Sequence, residues 1–246
     1  EVFTFLRPGT IATVYTGASG SVEFLYVGSA TSDDAIIVSK DGSTAGFAEL
    51  AGRTDYKIYK NGEQVSASAM RKYDVATYSA AENAIYVTDN RITVYYLDAS
   101  PNVNAPDTIQ VAGLEGDLTV LPSGRDSLSK FRIGQVITLL LTQDNRVAGA
   151  AESPGVRGNA MGLAEVDGTN VTVNLYNGLT VKGKTASDNA GRFNGQVVTV
   201  SSYTKDALLS LSIVSSGSAG GSLDVANRKL GDRELAENVR IYEKVG

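Results

Sequence analysis

Polar and apolar residues alternate along much of this chain with a period of two. Val171, Val173 and Leu175 are interleaved with Thr172, Asn174 and Tyr176, the pattern of a half-buried strand. Ile85-Tyr86-Val87 and Ile92-Thr93-Val94-Tyr95-Tyr96 are β-branched and aromatic, which suits a pleated surface. Val136 to Leu141 is a continuous apolar run of strand length, as expected where both faces are covered. Asp41-Gly42, Asn61-Gly62, Asp167-Gly168 and Asn177-Gly178 each fall between apolar stretches, and such pairs accept the positive φ of a tight hairpin. Asp89-Asn90 and Asp144-Asn145 occupy similar places, so Leu139 to Ala150 is predicted to be one hairpin turning at Asp144-Asn145. Helical signals are few: a turn over Arg125–Lys130, and one or two short turns over Val225–Glu237, interrupted by Gly231.

Two segments recur. Phe131-Arg132-Ile133-Gly134-Gln135-Val136-Ile137-Thr138-Leu139 returns, one residue shorter, as Phe193-Asn194-Gly195-Gln196-Val197-Val198-Thr199-Val200. Glu49-Leu50-Ala51 followed by Tyr56–Lys60 is echoed by Glu234-Leu235-Ala236 followed by Val239–Glu243. Such repeats suggest small modules built to one plan. Many short strands with regular turns and no long helices exclude a parallel α/β fold. The predicted fold is all-β: tandem small β-barrel modules, OB-like being one form they take, with one or two short helical turns. Ser153-Pro154-Gly155 is the strongest linker and Ser66–Arg71 a second seam, giving modules over 1–69, 70–153 and 154–246, with a two-module division at 153 as the alternative. Ser215–Ser222 has the composition of a flexible loop.

Composition narrows the chemistry. The 246 residues include no Cys, His or Trp and carry a formal net charge of −5. Without Cys there is no disulfide, thiolate nucleophile or zinc-thiolate site. Without His there is no Ser-His pair. The basic residues are scattered, which argues against nucleic acid as partner. No stretch approaches the roughly 20 apolar residues of a membrane-spanning helix. No signal peptide is visible, and the start at Glu1 reads as that of a trimmed mature chain or an excised fragment.

Candidate sites are weak. Asp33-Asp34 are adjacent, which in a strand points them to opposite faces. Glu23, Asp98, Asp107 and Asp126 would need to converge in space to serve as a catalytic carboxylate pair. Asp188-Asn189 with Asp206 lacks the acidic spacing of a calcium loop. The Gly113–Gly116 and Gly217–Gly221 stretches lack the context of a phosphate cradle. No catalytic residue, metal site or cofactor is expected. Nine of the twelve tyrosines lie in the first 96 residues, so a sugar-stacking face is expected there, with Tyr95, Tyr96 and Tyr78 as candidates. Tyr95 and Tyr96 are neighbours, so one should face the core and the other solvent.

Tyr73-Asp74-Val75-Ala76-Thr77-Tyr78-Ser79, the Phe131–Leu141 strand and the Asp144-Asn145-Arg146-Val147-Ala148 turn resemble segments of surface proteins of Gram-positive, Clostridia-like bacteria that carry S-layer homology modules. Ser100-Pro101-Asn102, Ile109–Gly113, Tyr176–Val181 and Leu235–Ile241 are also similar to that family, so the resemblance covers roughly residues 70–246. It implies an extracellular, envelope-associated, non-catalytic region whose partners are cell-wall polymer or other envelope proteins. The S-layer homology modules themselves are not among these residues, so the resemblance does not assign wall anchoring to this chain. The alternative is a carbohydrate-binding module for cell-wall or host glycan.

Overall fold

The computed structural model describes residues 12–16 and 22–27 as backbone, and residues 31–186, 189–214, 220–224 and 226–235 with their side chains. It is all-β, with a closed five-stranded barrel and several further sheets. The chain divides into one large unit, Glu1–Ile213, and a small one, Val214–Gly246.

Strands β1 (Ala12–Thr16) and β2 (Val22–Val27) form an antiparallel pair. A five-stranded sheet follows, built from β3 (Ile36–Ile37), β4 (Lys57–Lys60), β5 (Glu63–Gln64), β6 (Val75–Ser79) and β7 (Ala84–Thr88) in the order β3-β6-β7-β4-β5. It therefore takes strands from both sides of the seam expected at 69/70. The Asn61-Gly62 turn joins β4 to β5 with φ of 51° and 91°, as its composition predicts. Helix α1 (Phe47–Ala51) lies between two left-handed glycines, Gly46 and Gly52. The pleat gives the sheet two apolar faces. Ile36, Ala76, Ile85 and Val87 pack with Phe47 and Met70, while Ile37 and Val75 pack with Leu121, Leu140 and Ala148.

The next segment supplies β8 (Arg91–Ser100), β9 (Thr108–Val111), β10 (Leu118–Thr119), α2 (Pro122–Leu128), β11 (Val136–Leu141) and β12 (Val147–Glu152). Their order is β10-β9-β8-β11-β12, and a single parallel bridge from Val120 to Val147 brings the two edges of this sheet together, so that it curls into a first, incompletely closed barrel. Helix α2 opens on a proline at its first turn, where a missing N–H costs nothing. It packs so closely on β12 that a Cβ on Gly124 would lie 2.8 Å from the Val147 carbonyl oxygen. The β11–β12 hairpin turns at Asn145 in the left-handed region, as the Asp-Asn pair predicts. Strand β11 is covered on both faces: Ile137, Leu139 and Leu141 enter the barrel core, and Leu140 faces Val75 and Ala148.

The closed barrel comprises β13 (Met161–Asp167), β14 (Asn170–Leu175), β15 (Thr180–Thr185), β16 (Val197–Ser202) and β17 (Leu208–Ile213), in the order β13-β14-β15-β17-β16. A 3-10 turn over Ala190–Phe193 precedes β16. In both barrels the first strand pairs with the second and fourth, the fourth pairs with the fifth, and the third meets the fifth in parallel. That is the OB-type order, with the helical element between the third and fourth strands. The Phe131/Phe193 repeat marks one position in each. Gly134 N–H donates to Tyr96 O and Tyr96 N–H to Gln135 O, at 2.8 and 2.9 Å. Gly195 N–H donates to Ala164 O and Ala164 N–H to Gln196 O, at the same 2.8 and 2.9 Å. Both glycines have positive φ, 91° and 70°, which is why each copy of the repeat keeps one.

The two barrels share a core. Ile92, Val94, Tyr96 and Leu139 of the first belong to one apolar cluster with Val171, Val173, Val181 and Val198 of the second. Their backbones also meet: Leu114 bridges Val181, and Lys182 N–H donates to Gly113 O at 2.7 Å. The Ser153–Gly155 linker expected from sequence leads into a segment bonded to β8 and β11. Gly158 N–H donates to Thr93 Oγ1, Arg91 N–H to Asn159 Oδ1, and the Val156 carbonyl accepts from Thr138 Oγ1.

In the small unit, β18 (Leu223–Asp224), β19 (Lys229–Leu230) and β20 (Arg233–Glu234) form an antiparallel three-stranded sheet. This corrects the helical turns predicted over Val225–Glu237, as far as those residues are described. Gly231, at φ 58°, makes a tight turn between β19 and β20 instead of breaking a helix. The Val239–Glu243 half of the second repeat lies outside the described residues, and Glu234, its helical counterpart being Glu49, is extended.

Candidate functional site

The three tyrosines proposed from sequence do not converge on one surface. Tyr96 points into the first barrel, fully buried, and its hydroxyl has no hydrogen-bond partner. Burial, with Asp98 nearby as the smaller cause, pushes its pKa up. An enclosed ring offers no face to a ligand. Tyr95 is half-buried on the opposite side of β8 and lies over the Gly134 turn. Tyr78 is half-buried on β6, packed into the Phe47–Met70 cluster, with its hydroxyl donating to Asn83 Oδ1 at 3.2 Å. Elsewhere on the same sheet, Tyr59 and Tyr86 stack at 5.6 Å between ring centroids, and the Tyr86 hydroxyl donates to Glu82.

Some charged side chains pair with one another. Asp74, fully buried, accepts from Lys60 Nζ at 2.6 Å and from the Arg71 N–H at 2.7 Å. Burial nevertheless holds its pKa above the usual carboxylate value, against the lowering effect of Lys60. Arg146 is a hub: it pairs with Asp144 at 2.7 Å and Asp33 at 3.1 Å and donates to Thr31 and Ser32, fixing the β11–β12 turn to the segment before β3. Asp107 pairs with Arg125, and Lys182 with Glu115 at 2.7 Å. Asp98, Asp107 and Asp126 are exposed on separate elements. The Glu23 side chain and Asp188 lie outside the description. Among the described residues no cluster of three or more acidic side chains is placed to hold a metal ion, and no helix is long and apolar enough to cross a membrane.

What sequence reasoning missed is Tyr203. It sits in the β16–β17 turn of the closed barrel and is 46% exposed, the most open tyrosine among the described residues. Its neighbours follow from register. Tyr203 N–H donates to Leu208 O; Leu208 pairs with Lys184, Lys184 with Asn170, and Asn170 with Asp167. Inward-facing Val166, Val171 and Leu209 alternate with these residues, so all five point outward, spaced around the closed barrel. The turn is held by Lys184 N–H donating to Ala207 O at 3.0 Å. A Cβ on Gly183 would lie 2.1 Å from that carbonyl oxygen, so only glycine allows the approach. The available signal was a lone aromatic between two polar strand ends, Ser201-Ser202 and Thr204-Lys205-Asp206.

Family models, curated proteins and solved structures give no match to this chain. The likeness to envelope proteins therefore rests on its sequence motifs.

Proposed function

We propose that this chain is a non-catalytic structural and interaction region of an exported, cell-surface protein of S-layer type, whose partners are cell-wall polymer or other envelope proteins. The observation that carries the reading is the single apolar core running through both barrels. Tandem domains usually meet across small, polar interfaces and move against each other. Here the Leu114–Val181 bridge, the bonded 156–159 segment and the shared core join them, as a load-bearing spacer requires. Charged side chains such as Arg146 and Lys182 also serve to tie distant segments together.

The test is fractionation of the cells that make the protein, with antibody raised against this chain and protease applied to intact cells. Recovery in the envelope fraction, with the epitope removed by protease, is expected. Recovery in the cytosol, protected from protease, would overturn the proposal. A glycan-binding role is the second reading, favoured by the exposed Tyr203 ring.

A further inference from the structure

We propose that Asn61 is a site of spontaneous covalent rearrangement, at which the Asn61-Gly62 pair passes through a cyclic imide to aspartate and isoaspartate. Asn-Gly suits that reaction because glycine has no Cβ to shield its backbone nitrogen. The Gly62 nitrogen bonds to Asn61 Cγ, the Cγ–Nδ2 bond breaks, and ammonia leaves carrying the former Gly62 amide proton. Water then opens the imide. Opening at Cγ leaves aspartate; opening at the main-chain carbonyl leaves isoaspartate, with the chain routed through the side chain.

The chain has three Asn-Gly pairs, and the structure sets one apart. Gly178 N–H donates to Leu175 O at 2.9 Å, Asn177 Oδ1 accepts from Leu179 N–H at 3.2 Å, and Asn177 O accepts from Asn145 Nδ2 at 2.7 Å. Gly195 N–H donates to Ala164 O at 2.8 Å, and Asn194 Oδ1 accepts from Val166 N–H at 3.0 Å. In both pairs the attacking nitrogen and the side chain it must reach are tied to separate partners. The Gly62 nitrogen has no backbone acceptor among the described residues. Asn61 and Gly62 are both exposed, and nothing lies within 4 Å of where a Gly62 Cβ would sit. Asn61 Nδ2, the atom that leaves, donates to Asp89 Oδ1 at 3.2 Å on the surface.

The turn is also easily opened. It joins β4 to β5, which is two exposed residues long and forms the outer edge of its sheet. Asn61 is held at a φ of 51°, so the loop must open to bring the nitrogen onto Cγ, and so short an edge strand opens at little cost. The product then changes that edge. A carboxylate at position 61 faces Asp89 where an amide had donated to it, so attraction becomes repulsion. Isoaspartate adds a carbon to the backbone of a two-residue loop whose length sets the Lys60–Glu63 pairing. Release of β5 follows, and it is read at the Val65 amide, which donates to Ile58 O at 2.9 Å.

The experiment is peptide mapping by mass spectrometry of the folded chain held warm in mildly alkaline buffer, beside the same chain unfolded in guanidinium chloride. Conversion is read from the mass gained as NH2 becomes OH, with aspartate and isoaspartate products separated. In the folded chain Asn61 should convert at least about tenfold faster than Asn177 or Asn194, whose held amides must first break free. In the unfolded chain the three pairs should convert at similar rates, because the dipeptide is the same. Hydrogen exchange at the Val65 amide should rise with conversion in the parent and stay constant in Asn61→Gly, which keeps a residue suited to positive φ. Equal conversion of the three pairs in the folded chain, or none at Asn61, would overturn the proposal. The same ranking in the unfolded chain would overturn selection by the fold. Aspartate without isoaspartate would overturn the imide route, and unchanged Val65 exchange in converted protein would overturn the release of β5.

Discussion

Truncating Leu140 to alanine tests whether the five-stranded sheet and the first barrel are packed on each other. Leu140 is 1% exposed and belongs to a small cluster with Val75, Leu121, Ala148 and the half-buried Ile37. The substitution removes three carbons, a transfer loss of about 2.4 kcal/mol at about 0.8 kcal/mol each. The cavity left behind adds to this, because its walls lie on strands and cannot collapse freely. Ile37 already presses on β12, since a Cβ on Gly149 would lie 2.5 Å from its Cδ1. The expected cost is therefore about 3–5 kcal/mol, read from urea denaturation as a lower midpoint with an unchanged slope. Pairing it with Val75→Ala should give a coupling energy of at least about 0.5 kcal/mol. A loss below about 1 kcal/mol, or strict additivity with Val75→Ala, would show that the cluster is not a packed interface. Leu140→Asp places an unpaired charge in the same space and should unfold the protein outright.

Other outcomes follow from the same packing. Gly134→Ala and Gly195→Ala occupy equivalent turns at positive φ, so each should cost about 1–2 kcal/mol and by similar amounts in the same melts; a large cost at one and none at the other would break the equivalence. Gly183→Ala should lower the melting temperature by driving the 203–207 turn off β15, and hydrogen exchange at the Lys184 amide should rise with it. Asp74 has its folded pKa raised by burial, so it favours the fold most below its unfolded value of about 4 and loses that contribution as pH rises through the folded value. The stability of the parent chain relative to Asp74→Asn should therefore improve as pH falls across that window; a difference that is flat or of opposite slope in denaturation series would refute the assignment.

Local features were legible in the sequence because they depend on local physics. Asn61-Gly62 and Asn145 specify positive φ whatever surrounds them, and both turns form where expected. The run Val136–Leu141, apolar but for Thr138, signalled a strand buried on both faces, and β11 is one. The Phe131/Phe193 repeat marked the same turn in two barrels because each needs a glycine where the fourth strand begins. The Gly231 region misled, since a glycine that interrupts a helix pattern equally suits a hairpin.

Pairing and facing were decided only by the tertiary structure. Nothing local says that β4 runs parallel to β7, or that Leu114 adds to β15 of the other barrel. Period two states that Tyr95 and Tyr96 face opposite ways, but not that Tyr96 enters a closed core while its neighbour lies over Gly134. Among the described residues the most open tyrosine ring is Tyr203, because exposure depends on what packs above a side chain. Asp167, Asn170, Lys184, Tyr203 and Leu208, spread over 42 positions of sequence, become strand-to-strand neighbours only through the pairing of the barrel. Alternation along a strand is fixed by its own residues. Which strand lies beside it, and which face is dry, is set by burial of the whole apolar surface at once.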